Sequence, residues 1–178
     1  MKKTLLVLSL IILAVFGAEA QKARVGLKAG ANFANFDTDD AADGKTGFHF
    51  GAYAELGAGG FSIMPELLFS TKGDEFVDLS YIEVPVLLKK SFAKVLNLHV
   101  GPQFGFLTKA EDEDGDDLKE FLKGTDVSAV FGAGLDLPGG LTAGARYVLG
   151  LTAIEDVGSV SIKNKTFQIY IGYKLFGK

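Results

Sequence analysis

The chain contains no cysteine in its 178 residues. That absence excludes a lipoprotein anchor, disulfide staples and thiolate metal sites. Long apolar runs are almost as scarce. The one present, Leu5 to Phe16, follows Lys2-Lys3 and precedes Ala18-Glu19-Ala20, the order of a secretory signal with a small-x-small cleavage site. This reading assigns residues 1–20 to the signal and 21–178 to one barrel domain. No other stretch approaches the ~20 apolar residues of a membrane helix, so a mature chain that crosses a membrane does so with strands. Basic residues are also in deficit. With Lys2, Lys3 and Glu19 removed, 16 basic and 21 acidic residues remain, a balance that argues against nucleic acid as a partner.

What the chain has in abundance is alternation. Successive side chains of a strand point to opposite faces, and eight stretches keep one phase free of Asp, Glu, Lys and Arg. These phases are Val25 to Phe33, Phe48 to Leu56, Phe61 to Phe69, Ile82 to Leu88, Leu96 to Phe106, Ala129 to Leu135, Leu141 to Leu151 and Phe167 to Leu175. One Arg or Lys at mid-depth on the lipid face of a barrel costs roughly 2–4 kcal/mol, so an uncharged face is what a bilayer enforces. The predicted fold is all-β, an eight-stranded antiparallel up-and-down transmembrane β-barrel. Its connections alternate long and short: 37–46, 73–79, 110–126 and 154–165 are long, while 59–60, 91–95 and 138–140 are short. That rhythm and the even strand count match outer-membrane barrels, with long loops outside and both termini in the periplasm. Phe33, Phe48, Phe50, Phe69, Phe104 and Phe106 fall toward the long loops, and Phe61, Tyr173 and Phe176 toward the short turns, as two interfacial girdles would. Phe131 and Tyr147 sit mid-strand and fit neither.

Periodicity alone leaves open a soluble periplasmic, lipocalin-like barrel with the apolar phase turned inward around a ligand. Glycine separates the two. Gly26, Gly30, Gly51, Gly57, Gly101, Gly105, Gly132, Gly134, Gly144, Gly150 and Gly172 all share the polar phase, and in a narrow eight-stranded bore they make room for long side chains. On the water-exposed side of a soluble sheet they would only weaken the strands. Pro65, Pro85 and Pro102 lie within strands of a sheet that has no free edge, and bulges or kinks are predicted there.

Five segments carry a family resemblance: Gly26 to Phe33, Pro65 to Gly73, Tyr81 to Lys89, Gly101-Pro102 with Gly105, and Ala145-Arg146-Tyr147 with Gly150-Leu151. The chain resembles the porin-family, PorT-like outer-membrane β-barrel domain of Gram-negative bacteria. The resemblance implies an integral outer-membrane protein, inserted by the envelope's barrel-insertion machinery, and supplies no activity. It departs from similar barrels at the end, where Phe176 is followed by Gly177-Lys178 in place of a terminal aromatic.

The polar phase holds Arg24, Lys28, Glu55, Glu66, Lys72, Glu83, Lys89, Asp136, Arg146 and Lys174, with Tyr53, Tyr81, His49, His99, Gln103 and Gln168 among them. Unpaired charge in so narrow an interior is costly, so these residues predict a plugged lumen of ion pairs. Lys28, Glu55, Glu66, Glu83, Arg146 and Lys174 are its candidate members, and Lys28, Glu66, Glu83 and Arg146 are expected to share one central network. A narrow path for water or small solutes is the alternative. His49 and His99 lack the companions of a hydrolase, and no metal triad, P-loop or nucleophile elbow is present. The reading is therefore non-enzymatic and without a cofactor. Asp112, Asp114 and Asp116 stand at calcium-loop positions one, three and five, but Asp117 replaces the glycine of position six and Lys123 the glutamate of position twelve. They remain a weak divalent-cation candidate in a solvated acidic loop. Outer-membrane lipid and lipopolysaccharide are the expected surroundings, with the protein as a monomer.

Overall fold

The computed structural model describes residues 23–36, 46–73, 77–93, 95–112, 124–151, 155–157, 160–162 and 164–177. In chain order the strands are β1 (Ala23–Phe36), β2 (Thr46–Ala58), β3 (Phe61–Gly73), β4 (Val77–Phe92), β5 (Leu96–Asp112), β6 (Thr125–Asp136), β7 (Leu141–Gly150), β8 (Glu155–Val157), β9 (Val160–Ile162) and β10 (Asn164–Phe176). Eight of them close a barrel in the order β1-β10-β7-β6-β5-β4-β3-β2, every neighbour antiparallel. The two short strands β8 and β9 pair only with each other, a hairpin that the alternation did not announce. Several strands also outrun the predicted limits. β3 continues to Gly73 and β4 starts at Val77, which cuts the connection between them to residues 74–76.

The alternation resolves into an outside-apolar barrel. Leu67 and Ile171 are 58 % and 64 % exposed on the outer wall, whereas Lys28, Glu66 and Arg146 are only 4 %, 3 % and 1 % exposed inside. A lipocalin-like barrel would show the reverse, and that alternative is excluded. The short turns gather at one end. Gly59 and Gly60 both have positive φ (64° and 82°), the backbone that a two-residue hairpin needs to match strand twist. A 3-10 turn, Pro138–Gly140, joins β6 to β7.

Four of the polar-phase glycines face rings that leave no room for a Cβ. Gly26, Gly30, Gly132 and Gly144 stand directly across from Tyr53, His49, His99 and Tyr170 on neighbouring strands. A Cβ would fall 2.5 Å from the Tyr53 Cζ, 2.6 Å from the His49 Cε1, 2.8 Å from the His99 Cε1 and 2.7 Å from the Tyr170 Cζ. Each of these rings lies over a missing side chain, which is how a bore this narrow holds four of them.

The prolines interrupt the ladder, though not by bulges. Pairing skips two positions beside Pro65 on the β2 side, beside Pro85 on the β3 side and beside Pro102 on the β4 side, then resumes in the same register. No bulge forms at any of the three. A missing N–H opens the ladder without adding a residue, and a bulge would flip the strand's apolar phase into the lumen. The register shifts lie elsewhere, between Val25 and Gly26 and between Ser80 and Tyr81. At the second, Thr108 is the extra residue, and its hydroxyl donates to the Ser80 carbonyl at 2.9 Å.

Phe131 and Tyr147 also find a place. They pair across β6 and β7, Tyr147 pairs with Phe167 on β10, and Phe167 with Phe33 on β1. Phe33 and Phe167 are in ring contact at 6.2 Å. The four form one oblique outward row because barrel strands tilt. Phe48, Phe50 and Phe69 extend the aromatic wall on β2 and β3 with centroids 5.5–6.2 Å apart.

The lipid-facing assignment predicts a depth dependence. Leu67→Arg, mid-strand on the outer wall, should destabilise the refolded barrel by roughly 2–4 kcal/mol in urea titrations in liposomes, and Phe92→Arg beside the short turn by about 0–1 kcal/mol. Equal penalties would contradict the assignment.

Candidate functional site

The lumen is the place where this sequence concentrates chemistry, and its side chains sort into three groups. The first lies toward the short turns. Glu55 accepts from Arg24 at 3.0 Å, from Lys89 at 3.2 Å and from the Ser62 hydroxyl at 3.2 Å. Asp136 receives Lys89 at 2.8 Å, Lys174 at 3.1 Å and the Asn97 amide at 3.1 Å. Lys89 therefore bridges two carboxylates from opposite walls.

The second group is central. Glu66 is clamped between Lys28 on one oxygen and Arg146, at 2.7 Å, on the other. Arg146 reaches on through Nε to Gln168, whose amide donates to Asn32 at 2.8 Å. Asn32 gives its own N–H groups to the Phe48 and Thr71 carbonyls and to Ser70, an arrangement that fixes which end of the amide is oxygen. That oxygen also lies 2.7 Å from the His49 Nδ1. His49 must therefore carry its proton on Nδ1 and present a bare Nε2, which is buried and without a partner. His99 is arranged alike, its Nδ1 3.3 Å from the Asn97 Oδ1 and its Nε2 unpartnered. The Lys28 ammonium stands 4.1 Å from the Tyr170 ring centroid, a cation–π contact that offsets part of its desolvation.

The third group lies toward the long loops, where Lys72 pairs with Glu83 and stands 5.4 Å from the Tyr81 ring. Asp126 is buried at the same end, against Gly105. Glu83 is thus not a member of the central network expected for it. The alternation places it on the inward face, but the barrel's stagger sets it against Lys72, while Glu66, Lys28 and Arg146 do meet as expected. Glu55 and Lys174 belong to the short-turn group.

Apolar residues on the same inward phase escaped the sequence reading. Met64, Leu87, Val130 and Val148 pack with Tyr53, and Leu79, Leu107 and Ala110 pack with Tyr81. Met64, Leu87, Val130 and Val148 are exceptions within a polar phase, and Leu79 and Ala110 fall in stretches read as connections. Between the central and short-turn groups a cavity of about 10 Å³ remains, room for about one water. Of the acidic-loop candidates, Asp112 is the last residue of β5, and Asp114 and Asp116 lie outside the described residues. Among the described residues no group of three or more His, Asp or Glu side chains gathers as a metal site would.

An outer wall fit for lipid around a polar, ion-paired lumen defines a transmembrane β-barrel protein. Residues 19–156 match the family described as outer membrane protein beta-barrel domain, and the chain belongs to it. Among solved structures it is similar to Neisserial surface protein A, at 15 % identity and a TM-score of 0.57, over 85 % of this chain and 97 % of that one. It is similar also to Ail, the attachment invasion locus protein of Yersinia pestis, at 13 % identity and a TM-score of 0.56, over 87 % and 100 %. At such identities the likeness is one of fold. No curated protein matches the sequence significantly.

Removing Arg146 strands half of Glu66 in a buried site, so Arg146→Ala should cost about 3–5 kcal/mol. A double-mutant cycle should find Arg146 coupled to Glu66 by about 1 kcal/mol or more and to Glu83 by under 0.5. The glycine–ring pairs make a separate prediction. Gly132→Ala should destabilise by about 1–3 kcal/mol through overpacking, and adding His99→Gly should recover only part of the loss, because the Arg146 Cβ also stands 2.7 Å from the new methyl.

Proposed function

We propose that this protein is a non-enzymatic, plugged outer-membrane barrel that acts structurally or by surface recognition through its acidic long loops. The observation that carries this reading is the filled bore, in which every lumen carboxylate toward the short turns and at the centre already holds cationic partners. A closed lumen leaves the loops as the surface that meets partners. Outer-membrane barrels place long loops outside, and here the loop stretches 37–45, 74–76, 111–123 and 152–163 carry 15 acidic and 4 basic residues. Ail has been crystallised with a heparin analogue, sucrose octasulfate. The acidic crown of this chain repels such polyanions and suits cationic partners, or lipopolysaccharide phosphates bridged by divalent cations. Within the family we place the chain with the PorT-like small barrels, on the Tyr81 to Lys89 segment above all. We take it as a monomer in outer-membrane lipid, delivered by a signal of residues 1–20, which lie outside the described residues, and inserted by the barrel-insertion machinery.

Planar bilayers test the plug. The refolded barrel should give no steady conductance steps in 1 M salt, about the strength at which surface charge is screened within 3 Å; regular ohmic steps would establish the narrow channel instead. Bilayer-embedded barrel should also retain oligolysine and not heparin, with retention lost as salt rises.

A further inference from the structure

The outer wall is not an even cylinder. Across β10, β1, β2, β3 and β4 it sinks into an open apolar groove of about 670 Å³. Ala29 sits between Ile171 and Phe50 in one row of paired outward residues, and Ala52 between Leu27 and Leu67 in the next. The four flanking side chains are more than half exposed, so the two alanines are the floor of a trough. The trough is inclined, because barrel strands tilt and their paired rows climb with them. At its low end Leu141 is the first residue of β7 after a short turn, and at its high end Ile82 lies in the half of β4 nearer the long loops. From β7 to β4 it crosses roughly five strand spacings of about 4.8 Å, roughly 24 Å along the wall, close to the roughly 20–22 Å of one leaflet with its headgroups.

Beyond Ile82 the outward face changes character. The next outward positions on β3, β4 and β5 are Thr71, Ser80 and Lys109, paired side by side. Lys109 owes its place to the irregularity at Thr108. Leu107 points into the lumen, and unbroken alternation would send Lys109 after it. With Thr108 as the extra residue, Lys109 turns outward and exposed beside Ser80, and Ala110 takes the buried inward position. Re-aiming a side chain at a barrel rim is what bulges do. An apolar trough thus climbs to an ammonium and a hydroxyl at the long-loop end.

We propose that this groove holds one molecule of the lipid A part of lipopolysaccharide, with an acyl chain laid over Ala29 and Ala52 and a phosphate on Lys109 beside the Ser80 hydroxyl. The polarity selects the occupant, since an apolar track that ends at a cation fits an amphiphile with an anionic head. The position of Lys109 selects the leaflet. With the long loops outside, the phosphates at its level belong to lipopolysaccharide. The groove continues the lipid-facing wall, so occupation needs no rearrangement of the barrel. A second copy about a two-fold axis would set groove against groove and leave both unfilled. The site shares with the proposed function only the placing of the long loops outside, and neither a conducting lumen nor idle loops would affect it.

The test places the refolded barrel in phosphatidylcholine bilayers doped with monophosphoryl lipid A, with the same lipid after removal of its phosphate, or with phosphatidylglycerol, then extracts it in mild detergent and weighs the complexes by native mass spectrometry. One phosphorylated lipid A should stay on each barrel, with the other two lipids retained about fivefold less. Retention should survive EDTA, which removes any divalent bridge to the acidic loops. Lys109→Gln should lower retention of the phosphorylated form about fivefold, to the level of the dephosphorylated one, and Lys109→Arg should keep it. Ala29→Leu and Ala52→Leu, which raise the floor with a side chain the lipid face accepts, should lower retention about tenfold and leave the heat-modified gel shift of the folded barrel in place. Equal retention of the three lipids, loss of lipid A in EDTA, or folded Ala29→Leu and Ala52→Leu barrels that still carry it would each overturn the proposal. So would a barrel that weighs as two copies and becomes one in Ala29→Leu, which would give the groove to self-association.

Discussion

A backbone N–H group in hydrocarbon has no water to bond, and leaving it unsatisfied costs several kcal/mol. This chain depends on that constraint more than on any contact between its side chains. Closure of the sheet through β1 and β10 supplies the last ladder and removes the edge. The same constraint sets the limits on irregularity. Pro65, Pro85 and Pro102 lie on three adjacent strands, yet each opens the ladder over only two positions before the register resumes. At the Ser80/Tyr81 shift the extra residue is Thr108, and its own hydroxyl satisfies the neighbouring carbonyl. Irregularity is admitted where it can be closed locally.

Closure with eight strands then fixes the width of the bore, and the width dictates the interior. A ring projecting from one strand needs empty space above its neighbour, which explains the pairing of Gly26, Gly30, Gly132 and Gly144 with Tyr53, His49, His99 and Tyr170. Ions are admitted on similar terms, each carboxylate at the centre and toward the short turns shared by two cations from different strands. An entirely apolar plug would fill the same volume. It would also erase the difference between the two faces of every strand, and with it the register that a one-residue slip destroys. The polar lumen thus specifies which phase faces lipid, while the inward apolar clusters around Met64 and Leu79 supply packing without charge.

The sequence disclosed the wall more fully than the contents. Strand count, the outward face and the inward glycines follow from period two, because a bilayer tolerates no charged exception on the outer phase. Membership of the central network was half legible. Lys28, Glu66 and Arg146 meet, but Glu83 pairs with Lys72, since the partner of an inward residue depends on barrel stagger, which no single strand encodes. The same stagger hid the girdle: Phe131 and Tyr147 look mid-strand in the linear chain and join Phe167 and Phe33 only once the strands tilt. The form of the irregularity at the prolines was hidden for a related reason. Their missing donor is visible in sequence, whereas the freedom of a closed ladder to skip two pairs is a property of the neighbours. The hairpin of β8 and β9 gave no signal because three-residue strands carry too little alternation to read.

Net charge conceals the most consequential asymmetry. Residues 21–178 are mildly acidic, yet the stretches 37–45, 74–76, 111–123 and 152–163 hold 15 acidic and 4 basic residues, so the rest of those residues carry 12 basic against 6 acidic. The lumen repeats the pattern along its axis. Lys72 stands with Glu83 and Asp126 toward the long loops, while cations outnumber carboxylates at the centre and toward the short turns. A low-dielectric wall focuses such fields along the bore. Cations are drawn to the long-loop end and turned back by the centre, and anions entering from the short-turn end meet the acidic mouth. On the plugged-lumen reading proposed above, neither sign has a continuous favourable path along the bore. The acidic loop sequences and the cation-rich centre of the lumen form one charge separation along the chain, built on a scaffold whose outward apolar phase carries no charge.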